Sequence, residues 1–196
     1  MRIRFDGRTV VVSGAGNGFG RCIAETFAQL GASVFGCDLS AAELAETARA
    51  GVDTEVLDLT DRTAAAAWIA QIELTTGGAV DVLVNNAGGV AEQQMRPIEE
   101  VPDVDWDRIF AVNIGAAFTL SRAVAAGMKR AGGGRIINIS SGAGLGPSLT
   151  GIQAYCSAKH AVVGLSRQLA AAPHYRWLLS IHPSRERSDR RAQAPR

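Results

Sequence analysis

Residues 9–20 read TVVVSGAGNGFG, and they carry the clearest indication of how the chain folds. Four β-branched residues form a run of strand length, a turn with four glycines follows at once, and an amphipathic segment then runs from Cys22 to Leu30. Glycines let a backbone turn tightly and approach a ligand closely, and the unpaired N–H groups at the start of a helix attract negative charge. A strand, a glycine-rich turn and a helix in this order predict a site for the pyrophosphate of a dinucleotide.

The alternation of strand and helix patterns continues along the chain. Further strands are predicted at residues 33–37, 54–57, 80–84 and 135–139, and helices at 41–50, 61–75, 105–130 and 152–171. Short, continuously apolar strands separated by helices indicate a parallel sheet that is covered on both faces. We therefore expect a single doubly wound α/β domain, in which ligands bind at the carboxyl ends of the strands.

Two acidic residues follow predicted strands at that edge of the sheet. Asp38 closes the second strand, where a carboxylate can accept hydrogen bonds from the ribose hydroxyls of an adenosine. This favours NAD and makes NADP less favourable, because a 2′-phosphate would meet a like charge and neither Asn17 nor Leu39 is a cation. Asp38 could instead serve as a turn or N-cap residue before the next helix. Asp58 could equally bind the adenine or start the helix at Thr60.

Tyr155 and Lys159 lie one helical turn apart on the predicted helix 152–171. A lone tyrosine is a weak acid or base at neutral pH, because its reference pKa is about 10. A cation at i+4 on the same helix face favours the phenolate and brings proton transfer into a useful range. The Tyr-x-x-x-Lys spacing also occurs by chance on helix surfaces, so this pair gains meaning only together with the rest of the chain.

The composition indicates an ordinary globular protein. The chain has 196 residues, of which 47% are hydrophobic and 20% are charged, and it lacks an apolar N-terminal segment of the kind that signal peptides contain. We expect a cytoplasmic protein without a membrane segment. The three cysteines are far apart and outside any Cys/His cluster, which argues against disulfides and against a metal site. The body is slightly acidic, which argues against nucleic-acid binding.

The chain resembles the short-chain dehydrogenase/reductase family, whose motifs appear in it in order. The glycine motif TGxxxGxG is present with Ser13 in place of Thr, and the NNAG motif stands at residues 85–88. Asn113 matches the mid-helix asparagine, Ser141 matches the catalytic serine, and residues 155–159 match YxxxK. The resemblance covers residues 7–172 and implies a Rossmann fold.

This resemblance implies roles for the matching residues. Tyr155 is expected to be the general acid or base, and Lys159 to lower the pKa of Tyr155 and hold the nicotinamide ribose. Ser141 is expected to bind the substrate oxygen, with Ser140 as the alternative, and Asn113 to hold a water. The resemblance and the glycine-rich turn together predict a cofactor site formed by Gly14, Asn17, Gly18, Phe19, Gly20, Asp38, Asp58, Leu59, Asn86, Ala87, Gly88, Tyr155 and Lys159. Residues 90–103 are expected to rim the substrate pocket.

The chain departs from the family pattern after Ala172. We expect a Rossmann-type domain at residues 1–172 and a divergent tail at 173–196, which holds six arginines against Glu186 and Asp189. A disordered end is favoured over a polyanion-binding one. Residues 180–183 resemble the family's next strand, but the usual last strand and substrate lid are not recognisable. A truncated or frameshifted dehydrogenase is the favoured interpretation, and a natural short form is the alternative.

The sequence therefore predicts an NAD-dependent oxidoreductase that interconverts a secondary alcohol and a ketone. Two alternatives stay open: a catalytically impaired cofactor-binding remnant of such an enzyme, and a reductase of 3-oxoacyl thioesters. The expected partner is a small-molecule alcohol or ketone, with no nucleic acid and no membrane. The resemblance also implies a homo-oligomer, dimeric or tetrameric, if the C-terminus permits one.

Overall fold

The computed structural model of the protein describes residues 3–171 and the backbone of residues 180–184. Six strands form one parallel sheet, with the bounds β1 Thr9–Ser13, β2 Ser33–Asp38, β3 Asp53–Val56, β4 Val82–Asn85, β5 Arg135–Ser141 and β6 Ser180–Ser184. Their spatial order is β3-β2-β1-β4-β5-β6. Strands β2 and β3 thus lie on one side of β1, and β4, β5 and β6 lie on the other side of β1. This reversal opens a crevice at the carboxyl ends of β1 and β4 and confirms the doubly wound Rossmann fold.

Helices connect the strands. Their bounds are α1 Gly18–Gln29, α2 Ala41–Ala48, α3 Arg62–Thr76, α4 Asp103–Phe110, α5 Ala116–Arg130 and α6 Gln153–Ala171. Side chains cap two of the helices: the Ser40 hydroxyl accepts from the amide of Glu43, and Asp61 accepts from the amides of Thr63 and Ala64. Asp38 and Asp58 are therefore not the N-caps of α2 and α3.

The sheet is buried on both faces, as its apolar strands predict. Val11 of β1 packs into a cluster with Leu83 and with side chains of α3 and α5, including Ile69 and Leu120. The neighbouring Val10 and Val12 point to the opposite face, where a second cluster contains Val34 with Ala24 of α1 and Leu44 of α2. Alternate residues of one strand thus enter two separate cores, which explains why the strand reads as a continuous apolar run.

The predicted helix 105–130 differs in one respect from the observed structure. The helical segment begins at Asp103 and contains a π-helical turn, Ala111–Gly115, between α4 and α5. The side-chain amide of Asn113 donates to the carbonyl oxygen of Ile109 at 2.9 Å. A side chain that competes for the i−4 carbonyl is an ordinary cause of a local widening of a helix.

The C-terminal strand joins the same sheet as the rest of the domain. Residues 180–184 pair with β5 in parallel register, from Ile137 opposite Ser180 to Ser141 opposite Ser184. The predicted strand at 180–183 is therefore present and one residue longer. The domain boundary predicted at residue 172 stays a prediction, and residues 172–179 and 185–196 lie outside the described part of the chain, as does any last strand or lid.

Within the described residues, one helical segment is long and apolar enough to cross a membrane. It is Asp103–Arg130, with a mean hydropathy of 1.5 over its most apolar window, and 44% of that window is buried inside the fold. A core helix of a globular domain meets the same criteria of length and composition.

Candidate active site

Ser13 ties the glycine-rich turn to the NNAG turn. Its hydroxyl, 1% exposed, accepts from the main-chain amides of Asn86 and Ala87 at 3.0 Å each. The Asn86 side chain in turn donates to the carbonyl oxygens of Ser13 and Gly14, at 3.1 and 3.0 Å. The two turns that follow β1 and β4 are thereby held together at the crevice. The sequence showed Ser13 only as a substitute for Thr, yet either residue supplies the hydroxyl that this arrangement needs.

Two glycines of the first turn are required by close approach. Gly14 has a φ of +65°, and a Cβ on it would lie 2.9 Å from the Cα of Ala87. A Cβ on Gly20 would overlap the carbonyl oxygen of Gly14. The first position needs a left-handed backbone, and the second lets α1 begin directly against the turn. Together they leave a concave backbone surface at the start of α1.

Helix α2 clamps this turn from the side, through contacts that sequence reasoning missed. The fully buried Thr47 donates to the carbonyl oxygen of Ala15 at 2.8 Å. The Arg21 guanidinium donates to the carbonyl oxygens of Gly16 and Glu43 and to the Thr47 hydroxyl. The bonds that involve Glu43 and Thr47 of α2 join residues 22 to 32 positions apart in the chain. No local sequence pattern could therefore indicate them.

A cleft of about 280 Å³ lies at the carboxyl ends of β1, β2 and β4. It is lined by Gly14, Asn17, Asp38, Leu39, Leu57, Asp58, Leu59, Asn86, Ala87, Gly88 and Val112. Eight of the predicted cofactor residues are therefore brought together here. Gly18, Phe19 and Gly20 lie in the first turn of α1, and Tyr155 and Lys159 lie on α6, outside this lining.

The two acidic residues of the cleft have different surroundings. Asp38 accepts from the amide of Gly16 at 3.0 Å through one carboxylate oxygen, and from the amide of Leu39 at 2.7 Å through the other. Asp58 accepts from the amide and the hydroxyl of Thr60, at 2.9 and 2.7 Å. Both side chains thus form local turns and also line the cleft, and their contact with a ligand stays a prediction.

Tyr155 and Lys159 are both buried on α6, at 6% and 5% exposure. The Lys159 ammonium lies 5.7 Å from the centre of the Tyr155 ring and donates to the carbonyl oxygen of Ile139 at 3.2 Å. Burial lowers the pKa of Lys159 from 10.5 to about 8, because a buried ammonium is poorly solvated. This lysine therefore titrates within reach of physiological pH.

The two serines at the end of β5 have distinct partners. The Ser140 hydroxyl donates to the carbonyl oxygen of Lys159 at 3.3 Å, which links β5 to α6. The Ser141 hydroxyl accepts from the amide of Ala143 at 3.2 Å. Ala143 packs in one cluster with Tyr155. Ser141 therefore bonds to the turn that contains Ala143, whereas Ser140 bonds to the backbone of α6.

Asn113 connects the π turn to the NNAG turn. Its side chain, 2% exposed, donates to the carbonyl oxygen of Gly89 at 2.8 Å and accepts from the Gly89 amide at 3.1 Å. A Cβ on Gly88 would lie 3.3 Å from the Lys159 nitrogen and would also collide with Asn113. Gly88 is thus the point at which Asn113, Lys159 and the cleft meet.

The segment after β4 lies against the start of α6, and its place at the rim of a substrate pocket stays a prediction. The Gln153 side chain donates to the carbonyl oxygen of Arg96 at 2.9 Å. The side chain of Met95 lies over Gly151. Val90 packs against the cluster that contains Tyr155. Residues from three separate parts of the chain therefore surround the tyrosine.

Known proteins are similar to this chain in sequence and in fold. The family model of short chain dehydrogenases matches residues 8–178. The D-threitol dehydrogenase of Mycolicibacterium smegmatis is 38% identical over 178 residues, which cover 86% of this chain and 65% of that protein. The chain thus spans slightly less than two thirds of the length of this curated relative.

Solved structures agree with the fold. A 7α-hydroxysteroid dehydrogenase complexed with NADH and 7-oxo glycochenodeoxycholic acid superposes with a TM-score of 0.80 at 31% identity, over 92% of this chain and 70% of that one. A metagenomic short-chain oxidoreductase in complex with NADP superposes with a TM-score of 0.83 at 33% identity, over 90% of this chain and 81% of that one. With its matched motifs brought together at one edge of the sheet, the chain belongs to the short-chain dehydrogenase family.

Proposed function

We propose that this protein is a nicotinamide-dependent oxidoreductase that interconverts a secondary alcohol and a ketone. The observation that carries the proposal is the convergence at Gly88, where Lys159 and Asn113 meet the end of the cleft. The Tyr155 ring lies 5.7 Å from the Lys159 ammonium. Tyr155 also packs in one cluster with Ala143, whose main-chain amide donates to the Ser141 hydroxyl. These are the four side chains that the family resemblance assigns to catalysis.

The residues present suit a dinucleotide. The concave backbone at the start of α1, where side chains at Gly14 and Gly20 would collide with their neighbours, can receive the pyrophosphate. Asp38 and Asp58 would face the adenosine, and Gly88 with Lys159 would hold the nicotinamide half. When bound, the cofactor supplies hydride transfer, and the protein supplies binding, orientation and proton transfer.

The protein's own residues would move the proton. Tyr155 would exchange a proton with the substrate oxygen, and the charge of Lys159 would favour the phenolate form. Ser141 would donate a hydrogen bond to the same oxygen and so fix its position. Asn113 would hold Gly89 and the neighbouring Gly88, since it bonds the Gly89 backbone through both of its polar atoms. The apolar side chains around Tyr155 would limit the access of water to the reacting atoms.

For the cofactor we propose NAD rather than NADP. Asp38 faces the cleft with a carboxylate that can accept from both ribose hydroxyls, and it would repel a 2′-phosphate. Arg21 is the nearby cation, but its donors are directed to the carbonyl oxygens of Gly16 and Glu43. Related proteins with bound NADH and with bound NADP both occur, so the choice depends on this chain's own residues.

We also propose a dimer or tetramer that assembles through α5 and α6. A groove of about 360 Å³ between these helices is lined by Phe118, Ser121, Arg122, Ala125, Ala126, Lys129, Ile136, Leu165 and Leu169. Phe118 is 39% exposed, and covering an apolar face of this kind would favour association. The cytoplasmic location stays a prediction from composition.

The test combines cofactor titration with a catalytic variant. NADH and NADPH are titrated separately, with cofactor fluorescence and thermal unfolding as readouts, and turnover is then screened on secondary alcohols and ketones. We expect NADH-selective binding, and for Tyr155→Phe a loss of turnover of at least about a hundredfold with unchanged NADH affinity. Full turnover by Tyr155→Phe would exclude the mechanism. NADH binding without turnover on any substrate would favour the cofactor-binding remnant.

A further inference from the structure

Glu43 places a further carboxylate, in addition to Asp38 and Asp58, beside the adenosine end of the cleft. It lies in the first turn of α2, where its main-chain amide donates to the Ser40 hydroxyl at 3.3 Å. Its side-chain carboxylate accepts from the side-chain amide of Asn17 at 2.9 Å. Asn17 itself lines the cleft together with Asp38. Neither the motif comparison nor the local sequence pattern had indicated Glu43.

The two carboxylates are bound to consecutive residues of the glycine-rich turn. Asp38 accepts from the Gly16 amide, and Glu43 accepts from the next side chain, Asn17. The side chain that follows the second strand of such a fold contacts the ribose 2′ position, so a phosphate at that position would lie near Asp38 and face Asn17. Two like charges would then oppose it, and their effects on a dianion add.

The nearby cation does not offset this arrangement. Arg21 directs its guanidinium to the carbonyl oxygens of Gly16 and Glu43 and to the Thr47 hydroxyl. To reach a 2′-phosphate, Arg21 would have to give up contacts that hold the turn against α2. Glu43, by contrast, is half-buried, and its carboxylate accepts a hydrogen bond from the side chain of Asn17, which lines the cleft.

We propose that Glu43 is a specificity-determining residue that, together with Asp38, selects against a 2′-phosphorylated cofactor. This inference rests on the proposed function, because it assumes that the cleft binds the adenosine half of a nicotinamide dinucleotide. It also assigns a role to Asn17: the asparagine links the turn to Glu43, and a cation placed at position 17 would pair with Glu43 before it could receive a phosphate.

Half-cofactors test the proposal without need of a substrate. ADP-ribose and 2′-phospho-ADP-ribose are titrated into the full chain and into Glu43→Gln by calorimetry. Glutamine keeps an acceptor for Asn17 but removes the charge. We expect 2′-phospho-ADP-ribose to bind about fivefold more tightly to Glu43→Gln, and ADP-ribose to bind with nearly unchanged affinity. The gain should shrink in about 0.5 M salt, because exposed charges are then screened.

The matched control is Glu46→Gln, which removes the same charge one turn further along α2. Glu46 pairs with Arg49 at 2.5 Å on the exposed side of the helix. We expect Glu46→Gln to change neither affinity. If both variants gain the same affinity for 2′-phospho-ADP-ribose, the effect comes from net charge alone and the proposal is wrong. The proposal is also wrong if Glu43→Gln binds 2′-phospho-ADP-ribose with unchanged affinity.

A double-variant cycle tests the assigned role of Asn17. Asn17→Arg should improve 2′-phospho-ADP-ribose binding only slightly in the parent chain, and about tenfold in the Glu43→Gln background, because the arginine is then unpaired. Equal gains in both backgrounds would contradict the assignment. If the parent chain binds neither half-cofactor, both the proposed function and this inference fail. If it binds ADP-ribose normally but Glu43→Gln changes nothing, this inference alone fails.

Discussion

Lys159 is a cationic side chain in surroundings that disfavour its charge. It is buried, and its pKa falls to about 8 because of desolvation. Below pH 8 the lysine is protonated in both the folded and the unfolded chain, so the cost of burying the charge is fully present. Between pH 8 and 10.5 the unfolded chain keeps the proton that the folded chain has released, and the contribution of this group to stability rises with pH. Its burial in the protonated form therefore costs stability below pH 8.

We therefore predict a pH-dependent stability difference between the parent chain and Lys159→Met. The unfolding free energy of the parent minus that of the variant should increase by about 3 kcal/mol as the pH rises from 7 to 10.5. Urea unfolding at both pH values measures this, and exposed Lys129→Met is the control, since it should follow the parent. Parallel pH profiles of the parent and Lys159→Met would contradict the lowered pKa.

At the scale of elements, polar contacts set the position of α6 on β5. The Asn138 side chain, fully buried on β5, donates to the Ser166 hydroxyl at 2.8 Å, and Ser166 donates to the carbonyl oxygen of Val162 at 2.7 Å. Ser140 and Lys159 add two more links between the same elements. Directional bonds of this kind define one register between helix and strand, whereas apolar packing alone tolerates shifts. The helix that carries Tyr155 is therefore positioned in part by Asn138 and Ser166, which are not among the candidate catalytic residues.

Ser166→Ala should consequently weaken the docking of α6. It removes the acceptor of the buried Asn138 amide, and leaving such a donor without this partner costs about 1–3 kcal/mol in unfolding free energy. Chemical denaturation measures the loss. The half-buried Ser157 lies on the same helix, and Ser157→Ala should cost less than about 0.5 kcal/mol. Similar losses for the two variants would show that Asn138 does not depend on Ser166.

At the scale of the whole molecule, the sheet extends one strand beyond β5. Five residues of β6 pair with Ile137–Ser141 of β5, directly at the strand end that holds Ser140 and Ser141. Without β6, β5 would become an edge strand with unpaired main-chain groups, which destabilises a sheet and favours aggregation. The strand thus covers the end of β5 that holds the candidate catalytic residue Ser141.

Two shortened chains test the contribution of β6. A chain that ends at Ser184 keeps the strand, and a chain that ends at Ala171 loses it, while both lack residues 185–196. We expect the urea midpoint of the shorter chain to be lower by at least about 1 M, with aggregation visible by size-exclusion chromatography. Equal midpoints would mean that β5 is stable as an edge strand.

Most of the fold could be predicted from the sequence, because its signals are local. A strand that is buried on both faces is continuously apolar, as Val10–Val12 are, and the glycines of the first turn mark a backbone that must bend tightly. The matched motifs likewise identified the residues that the structure brings together around Gly88. The π turn at Asn113 could not be predicted, because it depends on a side chain bonding to Ile109 and to Gly89 in a neighbouring turn.

Short-range patterns of hydrophobicity and glycine were thus sufficient for the element order and the doubly wound sheet, whereas the candidate catalytic residues came from the family resemblance. The polar contacts that hold these elements together depended on the folded chain. Thr47 on Ala15, Glu43 on Asn17 and Asn138 on Ser166 join residues 26 to 32 positions apart. Such contacts arise only when packing against the sheet brings distant side chains within hydrogen-bond distance, and neither propensity nor periodicity along the chain carries that information.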